Sequence, residues 1–220
     1  MENNFFKDMK AQLEEWIHLD YIEPQDIPSI ELYMDQITTF MDNHLSGNKR
    51  YDDDKILTKT MINNYSKNNL LPPSNKKRYS KDHIILLIYI FYLKNFLSIN
   101  DIQKLLKPMT DTYFDSDNET TMSDIYNDLF QLETEYGVKV RESIYDVYEI
   151  ANTQFKQDDD YLKTFAMITM LSYDIYAKKQ LIEKLLDSLQ MEPATKAERK
   201  EAKELAKQKE KEEKQRRKEG

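Results

Sequence analysis

Three helix-type segments with breaks between them, all within residues 58–106, constrain the fold of this chain more than any other feature. A short polar helix is predicted over 58–68 and a long, mostly apolar helix over 80–96. A third helix is predicted over 98–106, ended by a proline two residues later. Each begins at Ser or Thr, which cap helix N-termini well. Residues 70–79 contain Pro-Pro and are predicted to form a loop or a short β-hairpin.

Charge separates this part of the chain from the rest. Residues 55–107 carry ten Lys/Arg and two acids, a balance of +8, whereas the whole chain has a net charge of −8. The balance is −9 over residues 1–54, −10 over 108–191 and +3 over 192–220. A local basic patch in an acidic protein is typical of a binder of the phosphate backbone. The pattern therefore predicts a modular protein with one DNA-binding face.

Three motifs in this basic block resemble the DNA-binding domain of MerR-type regulators. They are TKTMINNYSKNNLLPP over Thr58–Pro73, Arg78-Tyr79-Ser80, and Leu97-Ser98-Ile99 with the leucines that follow. The resemblance implies a winged helix-turn-helix with a recognition helix over 58–68 and a basic wing over 74–81. Asn69 stands where that family often has Gly, and Asn tolerates the left-handed conformation.

A second resemblance covers about half the chain. Residues 1–120 are similar to an uncharacterised Gram-positive bacterial family, a domain of unknown function of the YkrK type. This second resemblance implies no activity.

The expected DNA contacts lie on the recognition helix and the wing. Wing cations would contact phosphates, which fix affinity and register, and asparagines on the helix could read adenine in the major groove. Tyr65 either contacts the DNA backbone through its hydroxyl or packs in the core. The alternative for the wing triplet is an ordinary solvated loop. The expected contacts are Thr58, Lys59, Asn63, Asn64, Tyr65, Lys67, Lys76, Lys77, Arg78, Tyr79 and Lys81, and their cations would form one continuous positive face.

Two further helices are predicted before the basic block. The first covers 9–22, and the second starts at an N-cap, Ser29, and stops at Ser46-Gly47-Asn48. The second has one apolar stripe, formed by Ile30, Tyr33, Met34, Ile37, Phe40 and Met41.

The second half is predicted to form a helical bundle or hairpin. Its helices cover 123–136, 138–155 and 161–190, with Gly137 as the stop between the first two. Ile125, Leu129, Phe130 and Leu132 are expected to face inward. The third helix is apolar on more than one face, which predicts burial by neighbouring helices or a homodimer through Tyr161–Leu189. Residues 192–220 form a low-complexity charged tail, predicted as a solvated, fraying helix.

Several other functions have little support in the sequence. With no cysteine there is no thiolate metal site. The acid triplets 52–54 and 158–160 lack the spacing of a calcium loop, and no phosphate loop or nucleophile motif occurs. We expect no enzymatic activity, no cofactor and no metal. His83 is expected to be structural, and the absence of a long apolar run or signal-type start predicts a cytoplasmic protein.

The sequence thus predicts an all-α protein in three parts. A winged helix-turn-helix with extra N-terminal helices covers 1–110, a helical dimerisation or effector region 111–191, and the charged tail 192–220. The leading hypothesis is a transcriptional regulator that binds double-stranded DNA, with no effector identified. One alternative is a non-enzymatic protein-interaction module that keeps the fold without binding DNA. Another is a helical adaptor whose Tyr-rich second half binds a small apolar ligand.

Overall fold

A computed structural model describes residues 21–155 and 159–189, together with positions 9, 12 and 13. Besides a 3₁₀ helix at Ser46–Asn48, this part of the chain contains six α-helices and two short strands. In chain order they are β1 (Leu32–Tyr33), α1 (Met34–Leu45), α2 (Lys59–Lys67), β2 (Arg78–Tyr79), α3 (Lys81–Leu93), α4 (Ile99–Tyr113), α5 (Met122–Gln154) and α6 (Asp160–Ser188). The prediction of a mostly helical protein is confirmed. The small antiparallel sheet pairs β1 with β2, whereas the predicted hairpin within residues 70–79 is reduced to the single bridge between Asn75 and Arg78.

Helix α3 is the centre of the main core. Its first turn is stabilised by Asp82 at the positive end of the helix and by a hydrogen bond from the Ser80 N–H to His83 Nδ1 (3.0 Å). A spacing of 3–4 residues along Ile84, Leu87, Ile88, Phe91 and Tyr92 predicts one buried seam on this helix. The helix is instead buried on nearly all sides, since Ile85, Leu86 and Ile90 are also fully buried. A helix that is apolar all round requires neighbours all round.

Strand β1 replaces the helix start that was predicted at Ser29. Leu32 pairs with Tyr79 and Tyr33 with Arg78, in antiparallel register. Helix α1 then begins at Met34, where the Tyr33 N–H donates to Gln36 Oε1 (2.8 Å). The predicted apolar stripe is therefore only partly buried: Ile37 and Met41 are in the core, whereas Ile30 and Tyr33 are exposed. Pairing with β2 outweighed the local helical pattern.

Helix α4 continues through Pro108, where the sequence predicted its end. A proline inside a helix removes one backbone hydrogen bond and costs about 3 kcal/mol. Residues on both sides of it, Leu106, Met109 and Tyr113, pack on the main core, and this packing explains why the helix continues. The predicted domain boundary at residue 110 consequently falls inside a helix.

Helix α5 is one continuous helix of 33 residues, not two helices separated at Gly137. A glycine inside a helix costs about 1 kcal/mol, too little to end a helix that is supported on both sides. Tyr126 anchors the N-terminal side in the main core, and Tyr148 anchors the C-terminal side in a second core. Leu129 and Leu132, expected to face inward, are exposed.

The buried apolar residues form two clusters. The main one draws on every element from β1 to the first two turns of α5, with Leu186 of α6. The smaller one contains Met9, Leu13, Tyr148, Ala151 and Met167. Most of the predicted helix 9–22 and the whole tail 192–220 lie outside the described residues, whereas α6 agrees with the predicted helix 161–190 to within two residues.

Candidate nucleic-acid interface

Helix α2 exposes a polar face without acids. Thr58 caps it, its Oγ1 accepting from the Met61 N–H (3.2 Å), and Ile62 and Tyr65 anchor its other side in the core. The exposed residues are those at positions i, i+4 and i+8 and their neighbours: Lys59, Thr60, Asn63, Asn64 and Lys67. No Asp or Glu occurs between Lys55 and Lys81. The polar side chains of this face can form hydrogen bonds with the edges of bases, and its lysines can attract an anionic partner.

The segment before β2 is a tight turn with two lysines at its tip. The Asn75 N–H donates to the Arg78 carbonyl (3.1 Å), and the Arg78 N–H donates to the Asn75 carbonyl (2.9 Å). Lys76 and Lys77 have φ angles of 49° and 64°, the positive values of a type I′ turn. Lysine in this conformation costs about 1–2 kcal/mol per residue. Neither lysine has an acidic partner among the described residues, and both are exposed.

Segment 31–35 lies between these two features and adds negative charge. Lys59 of α2 forms an ion pair with Asp35, and Arg78 Nε lies 3.1 Å from Glu31 Oε2. Both pairs are largely exposed, and such pairs contribute at most about 1 kcal/mol. Glu31 and Asp35 could not be predicted as part of this surface, because nothing local marks residues that pair across 24 to 47 positions.

Lys81 interacts electrostatically with an acid of α5. Asp124, in the first turn of α5, has a lowered pKa, chiefly because Thr121 donates hydrogen bonds to it and to a smaller extent because Lys81 is close. Three of the six expected cations, Lys59, Arg78 and Lys81, thus have acidic neighbours. The other three, Lys67, Lys76 and Lys77, form no ion pair with an acid among the described residues.

The two tyrosines among the expected contacts are in the core. Tyr65 and Tyr79 are both buried, and burial raises the pKa of the Tyr65 hydroxyl. Tyr65 packs in the main core, as its packing alternative predicts, and neither ring belongs to the exposed surface.

His83 supports the base of the turn. Its ring makes edge-on contacts with Tyr79 (5.3 Å between centroids) and with Phe114 (4.7 Å). Burial lowers its pKa, partly offset by Asp115, the carbonyls of Pro72 and Pro73, and Asp82. Nε2 is buried without a well-formed hydrogen bond in the described structure. This position agrees with the structural role that the sequence suggested.

The described residues form a mostly helical protein with a two-stranded antiparallel sheet and a cationic turn. Residues 22–129 match the family model described as Domain of unknown function (DUF1836). This match agrees with the predicted resemblance to an uncharacterised family. No curated protein and no solved structure matches the chain. The MerR-type resemblance receives no support from these comparisons.

The described part of the chain offers neither a metal site nor a membrane-spanning helix. No group of three His, Asp or Glu side chains there could hold a metal ion, although residue 158 of the second acid triplet lies outside the described residues. None of the described helices combines the length and the apolar character needed to cross a membrane.

Proposed function

We propose that residues 22–129 form a non-enzymatic domain that binds duplex DNA in the manner of a winged helix-turn-helix, as part of a transcriptional regulator. Helix α2 would enter the major groove, with Asn63 and Asn64 facing base edges. The Lys76–Lys77 turn would act as the wing and contact phosphates on the adjacent backbone.

The strained lysine turn is the observation that carries the proposal. A type I′ turn is formed most easily by Asn-Gly, yet this one places two unpaired cationic side chains at its tip. Strained backbone conformations concentrate where a site needs them. Two adjacent ammonium groups on a short, hydrogen-bonded turn suit a backbone of phosphates.

The dimensions of α2 are compatible with this mode. An α-helix with its side chains is about 10–12 Å across, and the major groove is about 12 Å wide. The exposed face has no acid, so the helix would meet no repulsion from its own residues. The ion pairs Lys59–Asp35 and Arg78–Glu31 are exposed and weak, so a phosphate could replace either carboxylate as the cation's partner.

The experiment measures binding to a labelled 30-base-pair duplex of mixed sequence at several salt concentrations. Lys76→Asn with Lys77→Gly keeps the turn and removes two charges. Since each lost phosphate contact flattens the slope of log K against log salt by about 0.9, this variant should lose about 2 units of slope. Lys139→Gln with Arg141→Gln, two exposed cations on α5, is the matched control and should leave the slope unchanged.

The contribution of α2 is tested separately. Asn63→Ala with Asn64→Ala should leave the salt slope unchanged but abolish the preference for sequences selected from a random pool, at about 1–3 kcal/mol per lost base contact. Equal loss of slope in the turn variant and in the α5 control would refute the proposed wing. Absence of binding by the unchanged protein at low salt would refute DNA binding.

A protein-interaction module is the second candidate, favoured by Glu31 and Asp35. These acids lie beside Lys59 and Arg78, which gives the surface both signs of charge next to the exposed Tyr33 and Ile30. Glu31→Gln with Asp35→Asn distinguishes the two functions. The substitution removes repulsion toward phosphate and should strengthen DNA binding, whereas it should weaken binding of a protein partner that uses these acids.

A further inference from the structure

Helix α6 has an apolar face that nothing in the described structure covers. Tyr161, Phe165, Ile168 and Ile175 are 74%, 56%, 58% and 63% exposed. With Ser172 they follow a spacing of 4, 3, 4 and 3 residues, which places all five on one stripe of the helix. We call this stripe the α6 seam.

The opposite face of the same segment is already used within the chain. Met167 and Lys163 are buried, and Met167 packs with Tyr148 and Ala151 of α5. The alternative that the chain's own helices cover the whole apolar surface of α6 therefore does not apply to the described residues.

We propose that the α6 seam pairs with the α6 seam of a second copy of this chain, in antiparallel orientation. Residues that recur at alternating steps of 4 and 3 along a helix are those by which two helices pack side by side, and none of the five seam residues is charged. A seam that faces an identical seam forms a closed, two-fold pair. This inference does not depend on the proposed DNA binding.

The available area is sufficient for such a pair. With about 200 Å² for a whole aromatic side chain and somewhat less for isoleucine, the exposed parts of the seam residues and of neighbouring Tyr176 give roughly 500 Å² per copy. Two copies would bury about 1,000 Å², the least that a specific interface needs.

The charges at the two ends of the seam favour the antiparallel orientation. Asp159 and Asp160 precede it, and Lys178 and Lys179 follow it. An antiparallel pair centred near Ile168 brings the acids of one copy to within about a turn of the lysines of the other. A parallel pair would place like charges side by side, which is unfavourable. The lysines' own i,i+4 partners, Asp174 and Glu183, are 46% and 41% exposed, and ion pairs this open to solvent are weak.

Sedimentation equilibrium of the full chain at micromolar concentrations tests the pair. The chain has a mass of 26.4 kDa, so the proposal expects twice that mass, and Ile168→Glu should return it to the single-chain mass. Leu181→Glu is the matched control, because Leu181 lies on the same helix, is also 58% exposed and points away from the seam. The Leu181→Glu variant should still have twice the single-chain mass. Circular dichroism checks that both variants are folded.

A single-chain mass for the unchanged protein would overturn the pairing. Dissociation by both variants alike would overturn the assignment to the seam. If Ile168→Glu does not fold, Ser172→Lys, at an exposed polar position of the seam, replaces it with the same expected result.

Orientation is tested by disulfide formation, which the absence of native cysteine makes unambiguous. In an antiparallel pair centred at Ile168, two copies of residue 161 lie about 21 Å apart, too far for a disulfide. A mixture of Tyr161→Cys and Ile175→Cys chains should therefore cross-link, and each variant alone should not. Cross-linking of each variant with itself would contradict the antiparallel orientation.

Discussion

The hydroxyl of Tyr126 donates a hydrogen bond of 2.6 Å to the carbonyl of Ile22, in the protein interior and across 104 positions of sequence. The two residues lie near the two ends of the segment matched by the family model. The bond therefore joins the beginning of this domain to the helix that completes its core.

Replacing Tyr126 by Phe should lower the free energy of unfolding by about 1–3 kcal/mol, because the buried carbonyl of Ile22 is left without a donor. Urea denaturation measures the change. Tyr136→Phe, at an exposed position on the same helix, is the control and should change it little. Equal effects of the two substitutions would show that the Ile22 bond contributes nothing.

Relief of the strained turn should stabilise the protein even as it weakens the proposed DNA contact. Lys76→Asn with Lys77→Gly should raise the free energy of unfolding by about 1 kcal/mol, since both new residues accept positive φ more readily. Lys76→Ala with Lys77→Ala removes the same charges but keeps the Cβ atoms, so it should bring no such gain. A gain of the same size in both variants would attribute the effect to charge instead of to backbone strain.

Gly137→Ala should stabilise α5 by about 0.5–1 kcal/mol, because alanine reduces the entropy lost on folding. The added Cβ would meet no atom within 4 Å. Thermal unfolding followed at 222 nm measures the shift. A lower melting temperature would mean that the chain breaks or bends at this glycine.

The free energy of unfolding should decrease as the pH falls through the range in which His83 takes up a proton. Burial lowers the pKa of His83 from 6.5 in the folded protein, so the unfolded chain takes up the proton first as the pH falls. The contribution of neutral His83 is complete above about pH 6.5 and is lost progressively below it. Asp82 and Asp115 face the ring and oppose this loss.

Urea denaturation at pH 7.5, 6.5 and 5.5 measures the dependence, with His83→Gln as the comparison. The variant should lose less stability over this range than the unchanged protein. Equal pH dependence of the two proteins would exclude His83 as its source.

The helices between residues 58 and 113 could be predicted where one residue dominates the local energetics. Thr58, Ser80 and Ser98 each precede a helix that begins at the next residue, because capping is a local effect. Asn69 adopts the predicted positive φ of 54°. The helix ends predicted at Pro108 and Gly137 were wrong. Packing on both sides of each residue outweighed the local cost, which is about 3 kcal/mol for the proline and about 1 kcal/mol for the glycine.

The candidate interface was predictable in composition but not in geometry. The acid-free segment from Lys55 to Lys81 is visible in the sequence, as is the exposed face of α2. The pairing of Arg78 with Glu31 and of Lys59 with Asp35 depends on β1, whose two residues are too few to produce a periodic pattern. The type I′ turn at Lys76 and Lys77 could not be predicted either, because these two positions hold neither the Asn or Asp nor the Gly that usually mark such a turn.

The two-stranded sheet also determines how this domain can be divided. Leu32 and Tyr79 are 47 positions apart in the chain, so the sheet closes a long loop and cannot assemble as an independent hairpin. A peptide that contains only α2 and the turn would lack the strand on which the turn rests. The smallest fragment that preserves the lysine tip must therefore begin before β1, and the pairing of β1 with β2 should be among the late steps of folding.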